Sequence, residues 1–409
     1  MKIIVSHSGK QHVYKLINAL IKDGHEVIFY TLFWYKPRSI FWKSLLSIAP
    51  QGIKVQLSKQ LQKKYDKNLA QIQIVHYPLI ELLRKLLLKL KPKKGENIQL
   101  WADTFHDKWV AKQLKKQDYD IFIGYEMSSL ESFKIAKRQN KITILDLAQI
   151  HYQEIEDLSK QHSSLSHLQM NNFRIRLNKI KEQEYQLADK IITLSSFACN
   201  SMVKHAISSD KLWVVNLGYN ENIFRFKEKT LKQNNFNLIY TGAIIKRKGI
   251  IELKNALEKI DKTTDFKITL TLVGGLIDQN FFTNTNFPII HKPFMNHEKL
   301  VKEYQQADIF VFPSLLDSWA MVVLESMGCG TPVIITENTG AKDVVAQYGG
   351  GKIIETGNID ALKAALLDYF EHYENILEDS VKAYEAAQHF TWGHYENNII
   401  SLIRKMTYS

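Results

Sequence analysis

The 409-residue chain lacks most features that mark secreted or membrane-spanning proteins. Its only two cysteines, Cys199 and Cys329, lie far apart and without the spacing of metal ligands, so neither a disulfide framework nor a zinc site is predicted. No stretch reaches the ~18 uncharged apolar residues that a transmembrane helix needs. The first apolar run, residues 3–5, is far shorter than the core of a signal peptide. These absences predict a cytoplasmic protein in a reducing compartment.

Length and composition predict an ordinary globular protein with more than one domain. A chain of 409 residues is too long for a single core, and 45% hydrophobic with 23% charged residues is typical of globular proteins. Strand patterns alternate with helical ones, and after a turn-rich segment at 216–235 the alternation starts again. The fold class is therefore α/β, with two Rossmann-like domains. Strands are predicted at 2–5, 24–30, 53–57, 72–76, 120–124, 141–146, 190–194, 212–215 and 237–240, and a helix at 10–22.

Positive charge is concentrated in one segment. Residues 33–94 contain fourteen Lys and Arg against Asp66 and Glu81, a net charge of +12 that equals the formal charge of the whole chain. Within this segment, residues 79–90 have the period of an amphipathic helix with leucines on one face and charged residues on the other. An aromatic and basic run, residues 33–43, precedes it.

Such a segment is typical of an interfacial helix that contacts anionic lipid, at the inner face of the membrane. The residues predicted to face the membrane are Arg84, Lys85, Lys89 and Lys91. A helix that packs its leucines into the core and leaves its charged face in solvent is the alternative. Nucleic acid is not predicted as a partner, because no RNA- or DNA-binding motif accompanies the basic residues.

Two carboxylates, Asp317 and Glu325, follow an apolar strand at 309–312. A Pro-Ser loop carries Asp317, and the next helix is predicted to start at 318–321, where free N–H groups and the helix dipole favour an anion. Glu325 lies eight residues further on. That is ~12 Å along a helix axis, about the distance from the sugar to the ribose of a nucleotide sugar. The residues predicted to bind a phosphate through their N–H groups are Ser318, Trp319, Ala320 and Met321.

This segment resembles the Glu-x7-Glu motif of the family 4 glycosyltransferases, with Asp in place of the first Glu. The Pro-Ser before it and the Gly-Cys-Gly-Thr-Pro-Val-Ile after it also match, and the resemblance covers nearly the whole chain. It implies a GT-B fold, in which two Rossmann-like domains with parallel sheets face a central cleft. The implied domains are 1–217 for the acceptor, 218–388 for the donor, and a helix at 389–409 that crosses back. No metal or other cofactor is implied.

The resemblance also extends to residues 240–250, which are similar to the family's donor-phosphate loop. Gly242 and Lys248 are implied donor-binding residues, and Lys248 would neutralise the diphosphate as it leaves. Either Arg247 or Lys246 would supply a second positive charge, since Ala243 stands where many relatives carry arginine. The alternative is a solvated Lys-Arg-Lys run at the start of a helix.

Several residues of the first domain are also site candidates. His151 follows a predicted strand, close to where family members place an active-site histidine, and it is predicted to be catalytic with Lys248 and Asp317. Gly9 lies in the first βα loop, which in relatives approaches the donor phosphates, and His7 and His12 flank it. His12 and Glu126 are predicted on the acceptor side. A structural His and a solvated Glu are the corresponding alternatives.

These patterns predict a retaining transferase that moves a hexose from a nucleoside diphosphate sugar to a glycan or lipid-linked acceptor, as in cell-surface polysaccharide or glycolipid synthesis. The rival interpretations are a non-hydrolysing UDP-sugar 2-epimerase, which shares the GT-B architecture, and a degenerate nucleotide-sugar-binding protein. A metal-dependent GT-A enzyme is disfavoured because Asp118-Tyr-Asp120 precedes its strand. A dinucleotide enzyme or a P-loop enzyme is disfavoured because residues 6–12 lack the required glycines.

Overall fold

Buried apolar strands alternating with helices build two parallel sheets in this computed structural model, which describes residues 1–37, 51, 54–55, 58, 61, 65–230, 234–275 and 285–407. The first sheet has the order β3-β2-β1-β4-β5-β6-β7. Side chains such as those of Ile3, Ile4 and Val5 in β1 are fully buried, as expected for strands covered on both faces. Its strands are β1 (Lys2–Ser6), β2 (Glu26–Thr31), β3 (Gln73–His76), β4 (Ile121–Tyr125), β5 (Ile142–Leu147), β6 (Lys190–Thr193) and β7 (Leu212–Val214).

The second sheet has the order β10-β9-β8-β11-β12-β13. Its strands are β8 (Asn235–Thr241), β9 (Lys267–Val273), β10 (Ile289–Lys292), β11 (Ile309–Phe312), β12 (Val333–Thr336) and β13 (Gly351–Ile354). The strand order reverses between β1 and β4 in the first sheet and between β8 and β11 in the second. Ligands of open parallel sheets bind at such switch points, beside the carboxyl ends of the strands.

Helices connect the strands on both faces of each sheet. Those of the first domain are α1 (Val13–Lys22), α2 (Pro78–Leu90), α3 (Gly95–Leu114), α4 (Leu130–Arg138), α5 (Tyr152–Gln161), α6 (Asn172–Leu187) and α7 (Ser196–Lys204). They are followed by α8 (Ile250–Asp261), α9 (His297–Gln306), α10 (Met321–Gly328), α11 (Lys342–Tyr348), α12 (Ile359–Glu371), α13 (Tyr373–Gln388) and α14 (Trp392–Thr407). Short 3₁₀ turns lie at Leu69–Gln71, Pro92–Lys94, Ser163–Leu168, Ser209–Lys211 and Lys246–Lys248.

The predicted α/β architecture with two parallel sheets is confirmed, with local differences. The strand predicted at 53–57 lies mostly outside the described residues, and the two described ones, Lys54 and Val55, are helical. The first helix begins at Val13 rather than at residue 10, because a turn containing Gln11 at φ 29° precedes it. The aromatic and basic run is described only as far as residue 37.

The last helix, α14, packs against the first domain. Arg404 forms an ion pair with Asp23 at the end of α1, and Lys22 lies 3.5 Å from Glu396. On its way the chain passes the segment that joins the two sheets: Tyr219 N–H donates to Phe390 O at 3.0 Å, and Trp392 N–H donates to Tyr219 O at 3.3 Å. The chain therefore crosses between the domains twice, at one place.

The leucine face of α2 points outward, which differs from the core-packed alternative. Leu79 is 67% exposed and Leu90 is 65% exposed, and Leu82, Leu83 and Leu86 are also exposed. The inward side of α2 is polar instead: Arg84 donates to Glu81 and, at 2.9 Å, to Gln99 of α3. Arg84 therefore does not face outward with Lys85, Lys89 and Lys91 as predicted, because its guanidinium is held between α2 and α3. Among the described helices, none is both long and apolar enough to cross a bilayer.

Candidate functional site

A cavity of about 610 Å³ opens between the two domains, and we call it the donor cavity. It lies at the carboxyl ends of the strands, where loops after β1 and β5 meet loops after β8 and β11. Its walls include His12 and Ala148 from the first domain and Gly242, Lys248 and the residues of 317–322 from the second. Leu217 and Trp392, at the two chain crossings, also line it. The volume is in the range of small-molecule binding sites.

The loop after β8 is shaped by two glycines. Gly242 has φ 133° and Gly249 has φ 72°, conformations that other residues rarely adopt. A Cβ on Gly249 would lie 1.8 Å from the carbonyl oxygen of Pro313, so this loop touches the loop after β11. Between the glycines, Lys246–Lys248 forms a 3₁₀ turn before α8. The geometry buries Lys248 against the cavity, whereas Lys246 is exposed.

Lys248 and Asp317 form an ion pair inside the donor cavity. Burial lowers the pKa of the Lys248 ammonium, and the charge of Asp317 only partly opposes this. Burial acts to raise the pKa of the Asp317 carboxyl, but the charge and hydrogen bond of Lys248, together with the N–H group of Trp319 and the charge of Arg247, outweigh it and the pKa is lowered. Asp317 also accepts a hydrogen bond from Trp319 N–H at 3.1 Å. Two of the three residues predicted to be catalytic are therefore in contact, and each compensates the charge of the other.

Arg247 does not line the donor cavity. Its guanidinium donates to the carbonyl oxygen of Leu316 at 2.7 Å, so it fixes the loop after β11 instead of pointing at a ligand. This placement differs from the predicted donor contact. A linear run of three basic residues gives no information on which side chain points inward, because a 3₁₀ turn sends successive side chains in directions about 120° apart.

The helix after Asp317 starts at the last position of the predicted range, 318–321. Ala320 adopts φ 67°, and α10 begins only at Met321, so Asp317 is not on the helix. The ~12 Å separation along one helix axis therefore does not apply. The N-terminus of α10 still faces the donor cavity, since Ser318, Trp319, Ala320 and Met321 all line it. Its unpaired N–H groups and dipole favour an anion there.

Glu325 lies behind the wall of the donor cavity. It is 6% exposed, does not line the cavity, and hydrogen-bonds with Tyr304. Tyr304 in turn shares a 2.7 Å hydrogen bond with Thr241, which does line the cavity. Burial raises the pKa of the Glu325 carboxyl to about 8, so the group is protonated at neutral pH.

A second cavity of about 350 Å³ adjoins the first, and we call it the acceptor-side cavity. Lys10, Gln11 and Ala148 line both. Gly9 lies here and not in the donor cavity, which differs from its prediction as a donor-binding residue. The lining is polar: Asp103 accepts hydrogen bonds from Ser8 and, at 2.9 Å, from Gln99. The side chains of the lining are those of Ser8, Gln99, Asp103, Glu126, Ser128 and Gln149, among others.

Of the two predicted acceptor-side residues, Glu126 lines the acceptor-side cavity, whereas His12 lines the donor cavity and so differs from its prediction. Glu126 lines the acceptor-side cavity and is paired with Lys181 at 2.8 Å. His12 lines the donor cavity, and its Nε2 lies 2.8 Å from Oδ2 of Asp146. Sequence reasoning did not identify Asp146, although an acidic residue inside the apolar strand Ile142–Leu147 was a usable signal.

His151 lines neither described cavity, contrary to the prediction. It is the N-cap of α5: its Nδ1 accepts from Gln153 N–H, and its ring stacks on Tyr152 and His205. Burial lowers its pKa to about 3. The strand ends at Leu147, and the chain then turns into α5 and carries His151 away from the cleft.

Contacts between the domains hold the loop that carries Asp317. The Ser318 hydroxyl donates to Ala148 O at 2.6 Å, and the Ser195 hydroxyl donates to Ser318 O at 2.7 Å. Beside them, Ser196 N–H donates to Asp343 at 2.6 Å. Leu315 and Leu316 pack with Ile150 and Phe197 in one apolar cluster. The donor cavity is therefore completed by the meeting of the two domains.

One group in the described part of the chain brings three possible metal ligands together. Glu154, Asp157 and His205 offer ligand atoms within 4.8 Å of one another. The group lies on α5 and at the end of α7, and none of its members lines either cavity. The ammonium of Lys204 lies 2.7 Å from the Glu154 carboxylate, so that carboxylate already forms an ion pair with a lysine.

Comparisons with known proteins agree with this architecture. Residues 222–390 match the family described as "Glycosyl transferases group 1". Capsular polysaccharide biosynthesis glycosyltransferase CapM of Staphylococcus aureus is 27% identical over 216 residues, covering 46% of this chain and 57% of CapM. The D-inositol 3-phosphate glycosyltransferase of Paenarthrobacter aurescens (strain TC1) is 24% identical over 183 residues, covering 41% of this chain and 44% of that protein. The chain thus spans about half the length of these curated relatives.

Solved structures align with nearly the whole chain at low sequence identity. Sucrose-phosphate synthase from Thermosynechococcus elongatus aligns with a TM-score of 0.64 and 16% identity, covering 100% of this chain and 99% of that one. Anabaena Alr3699/HepE, solved in complex with UDP-glucose, aligns with a TM-score of 0.61 and 15% identity, covering 99% of this chain and 100% of that one. With two facing parallel-sheet domains, the fold is GT-B.

Proposed function

We propose that this chain, whose residues 222–390 match the glycosyl transferases group 1 family and whose two domains form a GT-B fold, transfers a hexose from a nucleoside diphosphate sugar to a hydroxyl group of a glycan or lipid-linked acceptor. Retention of configuration is part of the proposal. The observation that carries it is the donor cavity, where Lys248, Asp317 and the N-terminus of α10 converge. No metal takes part in the proposed step.

The donor diphosphate would bind at the N-terminus of α10 and Lys248. Because Lys248 is paired with Asp317, binding of the donor would replace the Asp317 carboxylate with the diphosphate beside the Lys248 ammonium. As the glycosidic bond breaks, charge grows on the diphosphate, so Lys248 would stabilise the transition state more than the ground state. Asp317, released from the pair, would hold hydroxyls of the donor sugar. UDP-glucose in the related HepE structure supports a nucleotide sugar as the donor.

The acceptor would enter by the polar acceptor-side cavity, next to the donor sugar. Its hydroxyl and carboxylate lining suits a hydroxyl-rich ligand, and the name of CapM supports a polysaccharide context. The exposed leucines of α2, flanked by Lys85, Lys89 and Lys91, suit the surface of an anionic membrane. A lipid-linked acceptor would be presented there, at the cytoplasmic face.

A ligand screen followed by product analysis tests the proposed function. Thermal unfolding should be measured with UDP-, GDP-, ADP- and CMP-sugars, because a ligand at 100 times its dissociation constant stabilises by about 2.7 kcal/mol. The sugar nucleotide that binds is then incubated with an oligosaccharide acceptor panel, and the anomeric configuration of the product is read by NMR. If sugar nucleotides bind and none is turned over, the chain is a binding protein. If the product has inverted configuration, the retaining part of the proposal is wrong.

Glu325 should make nucleotide binding depend on pH. We propose that its carboxylate binds the ribose hydroxyls, which requires the Tyr304 and Thr241 side chains that separate it from the donor cavity to move when the nucleotide binds. A group with a pKa of about 8 must also first lose its proton to do so. Nucleoside diphosphate affinity should therefore rise by up to about tenfold per pH unit as the pH approaches 8, and level off above it. At pH 9, where the wild-type carboxyl is charged, the affinity of Glu325→Gln should be lower by roughly 1.5–3 kcal/mol, and the affinity of the variant should not change with pH. Isothermal titration calorimetry at pH 6, 7, 8 and 9 measures both.

The pH dependence of the free energy of unfolding provides a control, because its direction is fixed by the raised pKa of Glu325. The folded pKa of Glu325 is raised above the unfolded value, so its contribution to the free energy of unfolding is present at low pH and is lost as the pH rises through 8. Urea unfolding of the protein without nucleotide should therefore show a steeper loss of stability between pH 5 and 9 in the wild type than in Glu325→Gln. Equal slopes, together with unchanged nucleotide affinity, would remove Glu325 from the site.

A further inference from the structure

The described residues on the second-domain wall of the donor cavity carry no net side-chain charge. Its lysine and its carboxylate, Lys248 and Asp317, are paired with each other. The two residues predicted to add positive charge from this domain do not do so. Arg247 donates to the carbonyl oxygen of Leu316, and Lys246 is exposed and does not line the cavity. A diphosphate is a multiply charged anion, so this wall alone would leave much of its charge uncompensated.

The first-domain wall of the donor cavity has an excess of positive charge. The lysines and carboxylates described there are Lys10, Lys15 and Asp66. The Asp66 carboxylate accepts from the N–H groups of Asn68 at 2.9 Å and Leu69 at 3.4 Å, so it is engaged in a local turn. Lys10 lines both cavities, whereas Lys15 lines the donor cavity alone. Lys15 is therefore the lysine of this wall that belongs to the donor cavity only.

Lys15 is held by an aromatic ring and not by a carboxylate. Its ammonium lies 5.0 Å from the centre of the Trp392 ring. In the part of the chain that the structure describes, no carboxylate lies within ion-pair distance of this ammonium. The face of a ring attracts a cation and leaves the N–H donors of the ammonium available to a ligand. Lys248 differs in this respect, because its ammonium is already paired with Asp317.

The position of Lys15 in α1 also favours a bound anion. Lys15 is the third residue of the helix Val13–Lys22, and the first turn of this helix contains no acidic residue. The positive end of the helix dipole lies at this turn, so a lysine is disfavoured there unless an anion binds beside it. Lys15 is nevertheless partly buried against the cavity. A bound anion would offset this unfavourable placement.

Trp392 is fixed at the place where the chain crosses between the domains. It is the first residue of α14, and its N–H donates to the carbonyl oxygen of Tyr219 at 3.3 Å. Its ring packs edge to face on that of Tyr395, with the ring centres 5.6 Å apart. The ring under Lys15 is therefore held by the segment that joins the two sheets and by its own helix.

We infer that Lys15 supplies the second positive charge to the donor diphosphate, from the first-domain wall of the cavity, and that Trp392 is its positioning residue. This inference rests on the proposed function. Contact of the diphosphate with Lys15 breaks no ion pair, whereas contact with Lys248 displaces Asp317. With one lysine from each domain, the bound diphosphate would also hold the two domains together.

Lys15→Met removes the ammonium and keeps much of the length of the side chain. Calorimetry at low salt should show UDP and inorganic pyrophosphate binding weakened by ~5–20-fold, between the effects of a surface ion pair and of a buried charged hydrogen bond. The difference from the wild type should shrink as added salt shortens the Debye length. Binding of uridine, followed by NMR, should not change, because uridine has no phosphate. GDP or ADP and its nucleoside replace UDP and uridine if the ligand screen selects another base.

A double-mutant cycle tests the role of Trp392. Trp392→Leu removes the ring that holds the ammonium, so it should weaken UDP binding by about 2–5-fold. The same change made in Lys15→Met should have no further effect on UDP binding. If Trp392→Leu weakens UDP binding equally in both backgrounds, or weakens uridine binding as much, Trp392 shapes the cavity and does not position Lys15.

Lys22→Met is the matched control, because it removes the same charge from the last turn of the same helix. The ammonium of Lys22 lies 3.5 Å from Glu396, and Lys22 lines neither described cavity. Binding of UDP and pyrophosphate should stay within about twofold of the wild type, since a distant exposed charge is screened. If Lys15→Met binds both anions as tightly as the wild type, or loses uridine equally, the inference is wrong and the proposed function stands. If the wild type binds no nucleoside diphosphate and no pyrophosphate, the proposed function fails and the inference fails with it.

Discussion

Replacing Lys248 with methionine is expected to lower turnover of the donor by ~10²–10³-fold, the usual effect of removing one contact to a charge that develops in the transition state. Methionine keeps much of the length of the side chain and removes the ammonium. Binding of the free nucleoside diphosphate should fall far less than turnover, because the N–H groups at the start of α10 remain. Steady-state kinetics and calorimetry measure the two effects separately.

The ion pair with Asp317 calls for a second variant. Lys248→Met leaves a buried carboxylate without its partner, which should cost about 1–3 kcal/mol of stability. Adding Asp317→Asn should restore the stability and leave turnover low, so a loss of activity cannot be attributed to unfolding. Lys246→Ala is the matched control, since it removes an exposed lysine from the same turn. If Lys248→Met weakens nucleotide binding and turns over normally at saturation, Lys248 is a ground-state contact only.

Replacing Leu79, Leu82, Leu86 and Leu90 with glutamine is expected to abolish sedimentation with phosphatidylglycerol vesicles. These side chains are between 53% and 67% exposed, so little packing is lost and the free energy of unfolding should hardly change. Burying a leucine side chain in an apolar phase contributes about 1.5–3 kcal/mol, so the loss of four should exceed 10³-fold in partitioning. Nucleotide binding should be unaffected, because α2 lines neither described cavity.

Salt dependence and a surface control distinguish insertion of α2 into the membrane from nonspecific adsorption of the protein to vesicles. Lys85, Lys89 and Lys91 changed to glutamine should weaken vesicle binding by about 1 kcal/mol each, an effect that shrinks as salt rises above ~0.1 M. Phe294→Gln removes an apolar side chain that is 79% exposed on the second domain, and it should leave sedimentation unchanged. If the wild-type protein does not sediment with the vesicles even at low salt, the leucine face of α2 does not bind a membrane.

The architecture could be predicted from the sequence because parallel strands are buried on both faces and read as apolar runs. The strand Ile309–Phe312 and the loop with Asp317 are consecutive in the chain, so their placement followed directly. Pairing across the fold could not be predicted in the same way. His12 and Asp146 are 134 residues apart, and Lys248 and Asp317 are 69 apart. Such pairs depend on strand order, which one sequence does not give.

Helical periodicity also leaves open which face of a helix turns toward the protein interior. The pattern of α2 identifies a leucine face and a charged face, and either could turn inward. The structure turns Glu81 and Arg84 inward because Arg84 connects Glu81 to Gln99 of the next helix, whereas Lys85 and Lys89 of the same predicted face stay exposed. Backbone turns also change where a side chain lies in ways that periodicity does not predict. The left-handed Ala320 separates Asp317 from α10, and the N-cap position of His151 carries it away from the cleft.

The two chain crossings form a single point of contact that suits a hinge. At Gly218, a Cβ would come within 2.3 Å of the backbone of Thr391, so the two crossing segments are in direct contact and share one pivot. A shared pivot lets the domains rotate about it and prevents them from sliding apart. Leu217 and Trp392 line the donor cavity beside this pivot, and rotation about it would separate Ser195 from Ser318 and Ser196 from Asp343. Such a rotation would have to break these hydrogen bonds and the apolar cluster of Leu315, Leu316, Ile150 and Phe197, while the contact between the two crossings stays intact.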